Sequence, residues 1–325
     1  MRQIMGAQAI LEAMKEEMER DENVVLIGED VASMGSSLGT SIGFAEQFGV
    51  ERVIDVPICE ASQGSLALGM SHMGKRVILE YMMGDFSAYA FDSIVNQIAK
   101  QRYISSGLWK NPITIRMSQG AGIMVGAHHS QIVESWYTNV PGLKIVAPTF
   151  AREIKGILKA AIREDDPVLV LEPKCTFGVA SEVGEYGEDY VIEIGKARIA
   201  QEGSDVTIIS YQYGLLMALD AAEELEEEGI SCEVIDLISL IPYDKQAILE
   251  SVRKTGRAVV VHEGPKRCGF GGEIAAMIAE EAFDALKAPI IRIGGKNCPV
   301  PYGLNEDCVL FDSDEIVEAI EKIME

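Results

Sequence analysis

The chain has 325 residues, with 28 Lys or Arg against 51 Asp or Glu, a formal charge of −23 at pH 7. A field of that sign repels phosphate backbones, so nucleic acid is a poor partner. With 48% hydrophobic residues and no apolar run near the roughly 18 that span a bilayer, the composition is that of a globular protein with no membrane helix. The six cysteines are scattered and form no CxxC pair, as expected of free thiols in a reducing compartment. The N-terminal stretch MRQIMGAQAILEAMKEEMER is too acidic for a signal or transit peptide, which points to the cytoplasm. Its apolar residues Ile10, Leu11, Met14 and Met18 fall at helical spacing.

Strand-like runs then recur: VVLIGED (24–30), RVIDVPI (52–58), VILEYM (77–82), ITIRM (113–117), LKIVAP (143–148) and VLVLE (168–172). Their near-continuous Val, Ile and Leu predict strands covered on both faces. Between them, DSIVNQIAKQRY and AREIKGILKAAIRE carry apolar residues along one helical face. This alternation predicts an α/β domain on a parallel sheet over 1–172. A Gly-rich, acidic stretch without periodicity, Pro173 to Asp189, reads as a linker. Four shorter strand–helix rounds follow and predict a second α/β domain over 190–325, with Gly229 as a helix C-cap.

In open α/β sheets ligands bind beyond the carboxyl ends of the strands. Glu60 lies just past such an end, within DVPICEAS (55–62). Small neighbours allow close approach, and a carboxylate in an apolar setting shares a proton near neutral pH. Position alone equally allows a helix N-cap acid. His129, in GAHHSQ, is a candidate proton carrier or a structural histidine. Phe86, Tyr89 and Phe91 cluster at a strand-to-helix junction, where they pack either a flat heterocycle or the core. GFGGE (269–273) matches no phosphate-loop motif, though Lys266 and Arg267 beside it suit an anion or a partner contact. The net charge reads as solubility or as an acidic docking face for a basic partner.

In order, GEDV, RVIDVPICEAS, GDFSAYAFDSIVNQIAKQRY, HHSQ, PGLKIVAPTFAREIKGILKAAIREDDPVLVLEPK and DLISLIPYDKQAILESVRKTGRAVVVHE resemble, nearly end to end, the β subunits of the E1 component of 2-oxo acid dehydrogenase complexes. Acetoin dehydrogenase β subunits belong to the same group. The resemblance implies an N-terminal pyrimidine-binding domain for thiamine diphosphate and a transketolase C-terminal-like domain. It implies that Glu60 hydrogen-bonds the aminopyrimidine ring and so promotes loss of the thiazolium C2 proton. Ile58 then lies beside the cofactor, Phe86 packs on the pyrimidine, and His129 assists proton transfer. The cofactor's own chemistry decarboxylates a 2-oxo acid such as pyruvate and passes the acyl group to lipoyl-E2, a disulfide acceptor.

The chain has no Gly-Asp-Gly, the motif that holds the diphosphate through Mg²⁺. The family's solution is an E1 α subunit carrying that motif in an α2β2 heterotetramer, active only when assembled. The C-terminal domain is implied to serve β–β association and docking of the E2 acyltransferase core. A K⁺ site is implied near Ala161, Ile162, Glu164 and Asp166, with Glu164 where relatives commonly have Asp. Met82 stands where pyruvate and branched-chain members commonly have Gln, and acetoin-type members tend to carry Met there. An acetoin-cleaving subunit and a non-catalytic assembly homologue are therefore the alternatives.

Overall fold

The computed structural model describes residues 1–325. The chain divides into two compact units, Met1–Gln119 with Trp136–Ile194, and Gly120–Ser135 with Gly195–Glu325. In chain order the elements are β1 (Arg2–Met5), α1 (Gly6–Arg20), β2 (Val24–Gly28), α2 (Phe44–Phe48), β3 (Val53–Asp55), α3 (Glu60–His72) and β4 (Arg76–Met83). Next come α4 (Gln101–Ile104), β5 (Ile113–Gln119), α5 (Glu134–Tyr137), β6 (Lys144–Val146), α6 (Ala151–Arg163), β7 (Val168–Pro173) and β8 (Ala180–Val183). The remainder comprises β9 (Arg198–Gln201), β10 (Val206–Ser210), α7 (Gln212–Glu227), β11 (Cys232–Asp236), β12 (Ser239–Ile241), α8 (Lys245–Thr255), β13 (Ala258–Pro265), α9 (Gly271–Glu281), β14 (Ile291–Gly295) and α10 (Ser313–Met324).

In the first unit six parallel strands lie in the order β6-β7-β5-β4-β2-β3. All residues of β2, β5 and β7 are buried, as expected inside a parallel sheet covered on both faces; β2 is uniformly apolar, whereas β5 and β7 also bury polar side chains. The chain leaves β2 for β3 on one side, then crosses back to β4 on the other, so β2 and β4 flank a topological switch point. The segment 173–189, read from sequence as a linker, belongs to this unit: β8 pairs antiparallel with β1, and Lys174–Thr176 forms a 3-10 turn. Its polar composition hides a strand whose register is set by β1.

Two kinds of charge are buried here. Lys155, Lys159 and Arg163, spaced by one helical turn along α6, meet Glu12, Glu16 and Glu17 of α1 at 2.6–3.1 Å. Within the sheet, Arg116 of β5 lies between Glu80 of β4 (2.6 Å) and Glu172 of β7 (2.7 Å). Ser36 and Thr40 donate to Glu80, which ties the loop after β2 to the sheet.

The second unit carries a five-stranded sheet, β14-β13-β10-β11-β9, parallel except for β9. Gly229 ends α7 at φ +85°, the left-handed conformation that favours glycine. The segment 120–135, placed in the first domain by sequence, groups with this unit. Ala121 N–H donates to Glu263 at 2.6 Å, Gly122 and Met124 N–H groups donate to Glu306, and Tyr302 packs on Gly126.

Candidate active site

Strand order brings three sequence-distant segments together. Glu29 follows β2, Ile58–Ala61 follow β3, and Met82, Phe86 and Tyr89 end or follow β4; because β2 lies between the other two, all reach the same end of the sheet. They line one cavity of about 640 Å³. Glu60 is the first residue of α3, while the N-cap position falls to Cys59, whose side chain makes no capping bond. The N-cap reading of Glu60 therefore does not describe the geometry.

Two contacts set where Glu60 stands. Tyr81 OH donates to the Glu60 carbonyl at 3.3 Å. One turn on, Gly64 has no room for a Cβ, which would collide with Ser93 Oγ and lie 3.1 Å from Tyr81 OH. Glycine at 64 thus lets the start of α3 press against β4 and the Ser93–Ile98 turn. The turn carrying Phe86, Gly84–Ala88, is pinned by Tyr137, whose hydroxyl donates to Ser87 Oγ at 2.7 Å. Ser118 Oγ donates to the Met82 carbonyl at 2.7 Å and fixes the end of β4.

The cavity is apolar with an acidic pair. Burial, then the neighbouring carboxylates Asp30 and Glu60, hold the Glu29 carboxyl above the usual carboxylate range. Ile58 is 74% and Tyr89 77% exposed, a large apolar surface at the rim for a ring or another chain to cover. Local sequence does not mark Glu29; the only signal there is the acidic pair Glu29–Asp30 ending a buried strand.

His129 belongs to the second unit, in the loop held by Glu263, Glu306 and Tyr302, and is half-buried with its N–H on the Gly126 carbonyl at 3.1 Å. The next residue, Ser130, has a buried hydroxyl without a partner. The structure thus groups Ile58, Glu60, Met82 and Phe86 in one cavity and places His129 on the other compact unit.

The residues named for K⁺ close α6. The carbonyls of Ile162 and Glu164 accept from Arg76 Nη1 at 2.9 and 2.5 Å, and the Ala161 carbonyl accepts from Glu164 N–H. The carboxylates of Glu164 and Asp166 pair with Lys144 (2.7 Å) and Arg102 (3.0 Å). Basic side chains thus meet the acceptors at the negative end of this helix.

Two family models match the chain: the transketolase pyrimidine-binding domain over residues 2–178 and the transketolase C-terminal domain over 195–316. The fold is therefore of the transketolase class. Among curated proteins, the pyruvate dehydrogenase E1 component subunit β of Rickettsia felis is 44% identical over 99% of this chain and 98% of its own. The mitochondrial subunit β of Dictyostelium discoideum is 41% identical over 97% and 89%. A solved split-gene transketolase, described as an inactive β4 tetramer, is 27% identical with a TM-score of 0.79, covering 99% of this chain and 98% of that one. The chain belongs to the family of pyruvate dehydrogenase E1 β subunits. No helix is long and apolar enough to cross a membrane.

Proposed function

We propose that this chain is the β subunit of a thiamine-diphosphate-dependent 2-oxo acid dehydrogenase E1, decarboxylating pyruvate or a close relative and delivering the acyl group to a lipoyl-bearing E2. The observation that carries the reading is the apolar cavity in which Glu60 and Glu29 stand at the carboxyl ends of three neighbouring strands. A flat aminopyrimidine fits it: apolar side chains for the ring faces and a carboxylate for a ring nitrogen. Thiamine diphosphate supplies, when bound, the carbon nucleophile and the electron sink.

The residues of the chain then do the following. Glu60 would accept a hydrogen bond from a ring nitrogen, and the contacts of its backbone with Tyr81 and of Gly64 with Ser93 hold the start of α3 in place. Glu29, whose carboxyl is held above the usual range by burial and by its carboxylate neighbours, lines the same cavity as Glu60. Phe86, Ile58 and Met82, which line the cavity, would hold the ring and exclude water. His129 carries a proton during substrate or lipoyl steps.

The diphosphate and its Mg²⁺ fall to an α subunit in an α2β2 assembly, because Gly-Asp-Gly is missing here. The structural neighbour described as inactive in a β-only assembly supports that division of labour. A β–β contact and E2 docking on the acidic C-terminal unit complete the reading, in a reducing compartment compatible with six free cysteines.

The test is to co-express the chain with an α partner and follow decarboxylation with a dye acceptor. Glu60→Gln should leave the tetramer intact and cut turnover by about a thousandfold, the scale of a lost acid–base group; turnover within threefold of the parent refutes the role. Because Met82 lines the cavity, acetoin is the second substrate to assay. Preference for acetoin over pyruvate would move the chain to the acetoin-cleaving branch.

A further inference from the structure

In a chain of net charge −23, one cavity is lined by cations. Lys266, Arg267, Arg292 and Lys296, with Asn297 and the backbone of Gly294 and Gly295, surround about 540 Å³ in the second unit. It opens past the carboxyl ends of β13 and β14, which are adjacent and parallel, where open α/β sheets bind ligands.

The positive charge there is not spent on carboxylates. Arg267 donates to Asn297 Oδ1 at 3.0 Å, Arg292 to the Lys266 carbonyl at 3.1 Å, and Lys296 to the Cys308 carbonyl at 2.9 Å. These neutral acceptors orient the side chains and leave the charge available. The cations of α6 differ, each facing glutamates.

A second observation lies against the cavity wall. The β13–β14 register shifts between His262 and Pro265, and the fully buried His262 ring packs among Gly269, Gly271 and Gly294. A Cβ at Gly294, which lines the cavity, would lie 2.9 Å from His262 Cε1. His262 Nδ1 meets the Gly264 carbonyl at 3.0 Å, and Nε2 has no hydrogen-bond partner. Nε2 faces Gly269 and Gly271 rather than the cavity, and burial pushes the imidazole down to about 4, so the uncharged ring is a packed backing of the Gly294 wall and leaves anion recognition to the four cations. The GFGGE stretch, which the cofactor site does not use, supplies two of the glycines that make room for the ring.

We propose that this cavity binds a small phosphate-monoester anion, with Arg267 and Arg292 presenting guanidinium forks and Lys266 and Lys296 adding point charges. Two planar forks with two ammonium groups suit a dianionic phosphate better than a single carboxylate. The volume exceeds that of inorganic phosphate and falls within the range of metabolite sites, about 300–1,000 Å³. A polyanionic nucleic acid is disfavoured by the field of the remaining chain. The site is separate from the cofactor cavity and does not rest on the function proposed above.

The test uses the full chain assembled with its α partner and calorimetric titration at low salt with inorganic phosphate, ribose 5-phosphate and a poly-glutamate peptide. The expected result is saturable binding of ribose 5-phosphate, tighter than inorganic phosphate. The exposed pair Lys266→Glu and Lys296→Glu should weaken it at least about tenfold, a lost charge-assisted contact. Dye-linked turnover at saturating thiamine diphosphate and the thermal midpoint should stay unchanged in that double variant. No saturable binding overturns the proposal, as does binding that survives the charge reversal. Binding by poly-glutamate alone also overturns it and makes the patch a protein-docking face.

Discussion

Gly64→Ala places a Cβ where Ser93 Oγ already stands, within 2.8 Å of Ser93 Cβ and 3.1 Å of Tyr81 OH. Neither neighbour gives way easily: Ser93 Oγ is bonded to the Ala90 carbonyl at 2.8 Å, and Tyr81 is 2% exposed inside β4. Helix α3 must therefore withdraw at its first turn, and Glu60 moves with it. Overpacking of this kind costs about 1–3 kcal/mol, and replacing glycine within a helix returns about 1 kcal/mol. A net loss of about 1 kcal/mol lowers the melting temperature by about 3 °C for a unit of this size. The catalytic effect is larger, because a displacement near 1 Å costs about a hundredfold in rate. The assay is kcat/KM of the assembled enzyme beside thermal unfolding. Ser93→Gly in the same chain should restore most of the rate without restoring stability, since it removes the collision but adds a flexible residue. A Gly64→Ala enzyme with parental rate and melting temperature refutes the close-contact reasoning.

Three further outcomes follow from buried charge. Arg116→Met strands Glu80 and Glu172 in the sheet and should cost about 3–5 kcal/mol by urea titration, whereas replacing all three residues with apolar ones should recover much of it; an equal loss in the triple variant contradicts this. Lys155→Met should cost less than Arg116→Met, because Glu12 keeps Arg2 at 2.8 Å and Glu16 keeps Lys159 at 2.8 Å; equal losses would show that these pairs do not share load. For His262 the folded value of about 4 lies below the unfolded 6.5. Unfolding thus takes up a proton below pH 6.5, and stability present above that pH is lost as pH falls toward 4. The parent should lose about 2–3 kcal/mol more than His262→Asn between pH 7 and pH 4.5, and identical pH profiles would contradict a neutral buried imidazole.

The sequence alone determined the alternation of apolar strands and amphipathic helices, because burial on both faces and on one face leave different periodicities. It also marked Glu60, since an acid between a buried strand and a run of small residues stands out locally. What it could not show is anything set by strand order. Glu29 joined the site only because β2 lies between β3 and β4, a consequence of a crossover that no local pattern encodes. The segment 173–189 read as a linker because β8 is polar and draws its register from β1, far away in the chain. The loop 120–135 read as part of the first domain because chain continuity placed it there, whereas Glu263 and Glu306, more than 130 residues on, hold it to the second. The cationic cavity likewise needs Lys266 and Lys296, thirty residues apart, brought together by parallel pairing of β13 and β14. Local pattern reports what each residue buries; only the folded topology decides which buried and charged groups meet.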